Sequence, residues 1–209
     1  MNTQLHRHLK VAFKAAIIAF SRSSRHGETL DEILGYVDAL TGIPNRKAFE
    51  EDRKNISAFQ TFIMVDVDNL KQINDTFGHL FGDKVLRHCA AILEKATRKV
   101  GKAYRLGGDE FAVVVPQCWV KTVCLYIKSA IREDTRFNVS IGVGPTCDTT
   151  GLTDEVFRSA ETALYQSKRR EPDLYSEYLT DDFAVPPAPM DIYIGEESID
   201  TIDSAALAL

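Results

Sequence analysis

The apolar positions of this chain fall into helical stripes and short strand runs that alternate along its length. Leu5, Leu9, Phe13, Ile17 and Phe20 recur at helical spacing, which predicts an amphipathic helix that must bury its stripe, a helix of a second subunit being a suitable partner. Arg22-Ser23-Ser24-Arg25-His26-Gly27 breaks that pattern. Thr29-Leu30-Asp31-Glu32 then has capping-box form at the head of a second predicted helix carrying Leu30, Ile33, Leu34, Val37 and Leu40. Gly42-Ile43-Pro44-Asn45 turns the chain, and a short helix follows through Phe49.

From Phe62 to Val67 the chain is continuously apolar and ends in acids, as in a strand buried on both faces with its terminus at a site. Helices are predicted over 69–77 and 84–98, separated by Gly78-His79-Leu80-Phe81-Gly82-Asp83. Two strands, 102–106 and 111–115, flank Gly107-Gly108 as a tight hairpin. After a helix over 119–132, the alternation of Phe137, Val139, Ile141 and Val143 predicts a strand with one buried face. A last helix with Thr153 as its N-cap runs to about Arg170. This order predicts an α+β fold, a ferredoxin-like or polymerase-palm antiparallel-rich sheet covered by helices and preceded by an N-terminal helix. Three segments are expected: N-terminal amphipathic helices over 1–37 for dimerisation or linkage, a catalytic domain over 38–174, and a flexible tail over 175–209 marked by Pro186-Pro187-Ala188-Pro189.

Composition narrows the partners. A net charge of −5 over 209 residues argues against gripping a nucleic acid polymer through a broad basic surface. Cys89, Cys118, Cys124 and Cys147 form no CxxC pair and read as reduced thiols of a cytoplasmic protein. The run from Val11 to Phe20 is interrupted by Lys14 and is far shorter than the ~20 residues of a spanning helix. Neither a membrane span nor a signal peptide is expected.

The candidate chemistry lies in two acidic clusters, Asp66-Val67-Asp68 at a strand end and Gly107-Gly108-Asp109-Glu110-Phe111 at the hairpin. Carboxylates brought together at neutral pH repel, so a divalent hard cation is expected between them. Asp38-Ala39-Leu40-Thr41-Gly42-Ile43-Pro44-Asn45-Arg46, Asp66-Val67-Asp68-Asn69-Leu70-Lys71-Gln72-Ile73-Asn74-Asp75, Gly78-His79 with Gly82-Asp83, and Arg105-Leu106-Gly107-Gly108-Asp109-Glu110-Phe111 stand in order. Together they resemble the signatures of the GGDEF family of diguanylate cyclases over roughly Asp38 to Arg170.

The resemblance implies condensation of two GTP molecules into cyclic di-GMP and pyrophosphate, one GTP on each subunit of a homodimer, with Mg²⁺ or Mn²⁺. It places the metal on Asp66, the backbone carbonyl of Val67 and Asp109, with Glu110 as a second acidic ligand or helper. Asp109, Glu110 and Lys71 are the candidate catalytic residues. Asn74, His79, Asp83, Gly107, Gly108 and Lys168 are the candidate substrate contacts, the amide of Asn74 and the carboxylate of Asp83 reading guanine. Helix N-capping is the alternative role for Asp83.

Two departures from the family pattern stand out. The inhibitory Arg-x-x-Asp element is here Arg98-Lys99-Val100-Gly101, a degenerate site that predicts weak or absent product inhibition. Glu171-Pro172-Asp173 replaces the usual Gly-Arg-Asn, leaving Arg169 or Arg170 to substitute for a phosphate-binding arginine. A GTP- or cyclic-dinucleotide-binding regulator of low or no activity is therefore the alternative reading. A palm-type transferase making another cyclic dinucleotide is disfavoured by Asp83. Residues 1–37 are too few for a usual sensory domain, so control is expected from dimerisation, expression or a regulatory protein partner acting through the N-terminal helix.

Overall fold

In the computed structural model, residues 34–134, 137–147 and 151–169 are described. The expectations for the first amphipathic helix, for the 175–209 tail and for residues 170–173 lie outside them. Four strands, β1 (Gln60–Val67), β2 (Lys102–Gly107), β3 (Glu110–Pro116) and β4 (Val139–Thr146), form one sheet in the order β2-β3-β1-β4. Every pairing is antiparallel. Helices α1 (Arg46–Asp52), α2 (Leu70–Phe77), α3 (His79–Thr97), α4 (Val120–Asp134) and α5 (Asp154–Arg169) cover it. This is the ferredoxin-like arrangement that the element order implies.

The period-two geometry of β1 divides the core into two halves. Ile63, Val65 and Val67 join Val85, Leu86, Cys89 and Leu93 of α3 and Val123 and Ile127 of α4 on one face. Phe62 and Met64 turn to the other face, against Phe49 of α1 and Val156, Ala160 and Leu164 of α5. Phe62 stacks on Phe157 at 5.2 Å and approaches Phe49 at 5.5 Å between ring centroids. By the same parity Asp66 faces α5. Burial pushes the Cys89 and Cys124 thiols up to about 12, which leaves them as small apolar fillers.

Several local expectations are corrected. The second helix does not continue through Val37 and Leu40. Helical geometry stops at Leu34, Val37 bridges to Pro44, and the segment from Asp38 forms a turn closed by Gly42 N–H donating to the Asp38 carbonyl at 2.8 Å. The segment from Gly78 to Asp83 is not an open link. Gly78, at φ +84°, ends α2 and directly begins α3, so His79, Gly82 and Asp83 are helical and Asp83 is not an N-cap. Strand β4 starts at Val139, leaving Phe137 before it, and has Val139, Ser140, Ile141 and Gly142 all buried, because α5 covers its second face. A Cβ on Gly142 would stand 2.2 Å from the Ala160 carbonyl oxygen, so glycine there lets α5 lie directly on the sheet. Thr153 caps α5 as expected, its hydroxyl accepting from Val156 N–H at 3.3 Å.

Candidate active site

Strand register brings the two acidic clusters together. Asp66 stands opposite Glu110 across β1 and β3, and Val67 N–H donates to the Asp109 carbonyl at 3.1 Å. The turn between β2 and β3 uses left-handed backbone at Gly107 (φ +150°) and Gly108 (φ +50°), with open space where a Cβ would be, so a ligand can approach the main chain. Asp66 is 3% exposed and its Oδ1 accepts no hydrogen bond among the described residues. Lys168 Nζ lies 2.8 Å from that oxygen, an ion-pair approach rather than an aligned hydrogen bond. Burial pushes the Asp66 carboxyl up to about 6. Lys168 opposes the shift, while the charges of Asp109 and Asp68 add to it.

Asp68 is committed elsewhere, accepting from Ser140 Oγ at 2.7 Å. A buried carboxylate beside a second carboxylate, with a single ammonium approaching it, suits an oxygen-seeking cation. Among the described residues no three His, Cys, Asp or Glu side chains cluster at metal-binding spacing. Asp66, Asp109 and the Val67 carbonyl would therefore hold a small divalent ion only together with water and phosphate oxygens, which is how Mg²⁺ is commonly bound.

Beyond β1, Asn69 adopts left-handed backbone (φ +56°) and opens α2 without a side-chain cap. The first amides of α2 are thereby left for an acceptor, and Lys71 is exposed in the same turn. At the junction of α2 and α3, Asn74 lies against Gly82, next to Asp83, whose carboxylate is 3.7 Å from Arg87. His79 is the exposed first residue of α3. Arg98 follows the last residue of α3, about 22 Å along the helix axis from Asp83. Arg169 lies over the Tyr165 ring at 5.4 Å.

Arg105 has a role that the linear pattern does not reveal. Its Nη2 donates to the Gly108 carbonyl at 2.7 Å and its Nη1 to Asp38 Oδ1 at 2.9 Å. Burial opposes ionisation of Asp38, but hydrogen bonds from Thr41 and Arg105 outweigh it and hold the carboxyl below its ordinary range. One guanidinium thus ties the glycine turn to the Asp38–Thr41 turn. The signal available in sequence was an arginine within β2, two residues before Gly107. Arg105→Lys cannot span both acceptors, and we expect it to cost ~1–2 kcal/mol of stability and about tenfold in turnover. Unchanged melting and unchanged turnover would show the clamp to be idle.

The family model described as "Diguanylate cyclase, GGDEF domain" matches residues 35–173. The chain belongs to the GGDEF family. This GGDEF protein is 36% identical over 175 residues to Diguanylate cyclase DgcZ of Escherichia coli (76% of this chain, 59% of DgcZ). It is 33% identical over 144 residues to Diguanylate cyclase DgcS of Shewanella oneidensis (63% of this chain, 49% of DgcS). The chain thus spans about half the length of these curated relatives. Among solved structures, the GGDEF domain of DgcB from Caulobacter crescentus in complex with c-di-GMP aligns with a TM-score of 0.56 at 28% identity, covering 64% of this chain and 90% of that one. Among the described residues of this GGDEF protein no helix is long and apolar enough to cross a membrane.

Proposed function

We propose that the protein is a diguanylate cyclase: each ribose 3′-oxygen attacks the α-phosphorus of the other GTP, pyrophosphate leaves, and two such steps give cyclic di-GMP. Two copies of the chain would present one GTP each, the region from Asp38 to about 174 being the catalytic unit. The observation that supports this reading best is the buried Asp66 carboxylate, in register with the glycine turn, beside Asp109 and met by the Lys168 ammonium at 2.8 Å. A Mg²⁺ ion, or Mn²⁺ in its place, would neutralise the triphosphate and lower the pKa of the attacking hydroxyl there.

The chain's own groups divide the remaining work. Asp109 accepts the hydroxyl proton, and Glu110, exposed at the start of β3, assists it. The uncapped amides of α2, with Lys71 and Lys168, hold phosphate oxygens and stabilise charge as it shifts to the leaving group. Gly107 and Gly108 let the turn come close to the nucleotide. Asp83 takes the N1 and N2 hydrogens that guanine offers and adenine lacks, and Asn74 supplies the amide that meets the base acceptors, with His79 bordering the site. Incubation with GTP or ATP, with Mg²⁺ or with a chelator, followed by product chromatography, tests the reading. Cyclic di-GMP should form from GTP and metal only. GTP binding without any product would instead favour a nucleotide-binding regulator.

Product inhibition should be weak. A Cβ on Gly101 would stand 2.1 Å from the Val114 carbonyl oxygen and 2.6 Å from the Val115 side chain, so this backbone has no room for the aspartate of an inhibitory element. Gly101→Asp should lower the melting temperature without restoring inhibition by cyclic di-GMP. Potent inhibition of the native protein at low micromolar product would contradict this.

A further inference from the structure

Asn74 and Gly82 face each other across the α2–α3 junction, and their contact is closer than a side chain at 82 would permit. A Cβ on Gly82 would fall 1.9 Å from Asn74 Oδ1, 2.9 Å from Cγ and 3.4 Å from Nδ2. The oxygen is thus the end of the amide turned into α3. It is buried and has no hydrogen-bond donor among the described residues. Gly82 lies within the first turns of a 19-residue helix, where glycine is a poorer helix former than alanine. Neither the helix nor the core gains from a glycine here.

We propose that Gly82 is a specificity-positioning residue. By leaving its Cβ space empty it lets the Asn74 oxygen turn into α3 and so presents the Asn74 Nδ2 donor to the acceptor edge of a bound purine. This rests on the proposed base-reading role of Asn74, and it adds what makes room for that amide in its observed orientation. With the oxygen outward, the amide would confront the acceptors of guanine with another acceptor. An alanine at 82 must drive the Asn74 side chain from its seat, because the Cβ direction of a helical residue is set by the backbone.

The test is a cycle of Asn74→Ala, Gly82→Ala and the double variant in the full chain. It is read by the Kd for 3′-deoxy-GTP, which binds without condensing, and by melting temperature. Each single variant should weaken binding about tenfold, as expected for one lost hydrogen bond to the base. The double variant should bind like Asn74→Ala alone, because Gly82 acts only through Asn74. Melting should follow the same logic: Gly82→Ala raises the melting temperature when added to Asn74→Ala, where only helix propensity changes, and does not raise it beside the native Asn74. If Gly82→Ala alone fails to fold while the double variant folds, the clash is with Asn74 and the proposal stands. Wild-type affinity in Gly82→Ala, full additivity in the double variant, or a double variant that also fails to fold would overturn it. If Asn74→Ala binds normally, the base-reading role fails and the proposal with it. The melting arm then still reports separately whether the two side chains collide.

Discussion

Replacing Asp109 with asparagine should reduce cyclic di-GMP formation by ~10³-fold, the range expected when a positioned proton acceptor is lost, while leaving the fold in place. The separation is possible because the turn is held by main-chain contacts, not by that carboxylate. Val67 N–H donates to the Asp109 carbonyl, and Arg105 holds the Gly108 carbonyl. An amide of the same size keeps both contacts but offers no basic oxygen for a hydroxyl proton and one fewer charge for a cation. Glu110→Gln should cost less, about tenfold, since Glu110 is exposed. Initial rates from product chromatography, set beside melting curves, check the pair. An Asp109→Asn variant retaining a tenth of native activity would remove Asp109 from the chemistry.

The parts legible in the sequence were those fixed by local chemistry. An unbroken apolar run with acids at its end has few solutions other than β1. The two glycines between two short strand-like runs specify the β2–β3 hairpin, and Thr153 provides a hydroxyl where α5 needs a cap. Once β1 is in place, the parity of Phe62, Met64 and Asp66 puts Asp66 on the α5 face of the sheet. That Lys168 reaches it depends on α5 resting on Gly142, a contact without local signature.

Where the structure departs from the expected elements, the causes are a tertiary partner at Asp38 and backbone conformation at Gly78. Val37 and Leu40 have helical spacing, yet Asp38 is held by Thr41 and by Arg105, 67 residues further on, and the chain turns. Gly78 and Gly82 looked alike in sequence and do opposite things. One ends a helix through its positive φ, and the other sits inside a helix to make room for a neighbour's amide.

Asp66→Asn should abolish cyclase activity and yet raise the melting temperature of the ligand-free protein at pH 8. In the folded chain burial pushes this carboxyl from 3.8 up to about 6, with Asp109 and Asp68 adding to the shift and Lys168 only partly offsetting it. A raised pKa means that the folded state holds the proton more tightly than the unfolded chain. The stabilisation it brings is complete below about pH 4 and is lost as pH rises through about 6. Above that value the native protein carries an ionised, poorly solvated carboxylate at a cost on the order of 2 kcal/mol, which a neutral amide avoids. For a chain of this size the variant should melt about 5 °C higher at pH 8 in the presence of a chelator. The advantage should shrink to nothing by about pH 4, where Asp66 is protonated in the native protein as well. Melting curves of both proteins across this range decide the matter. A variant no more stable than the native chain at pH 8, or an advantage that persists unchanged into acid, would mean that Asp66 is not the strained, cation-seeking group on which the proposed chemistry depends.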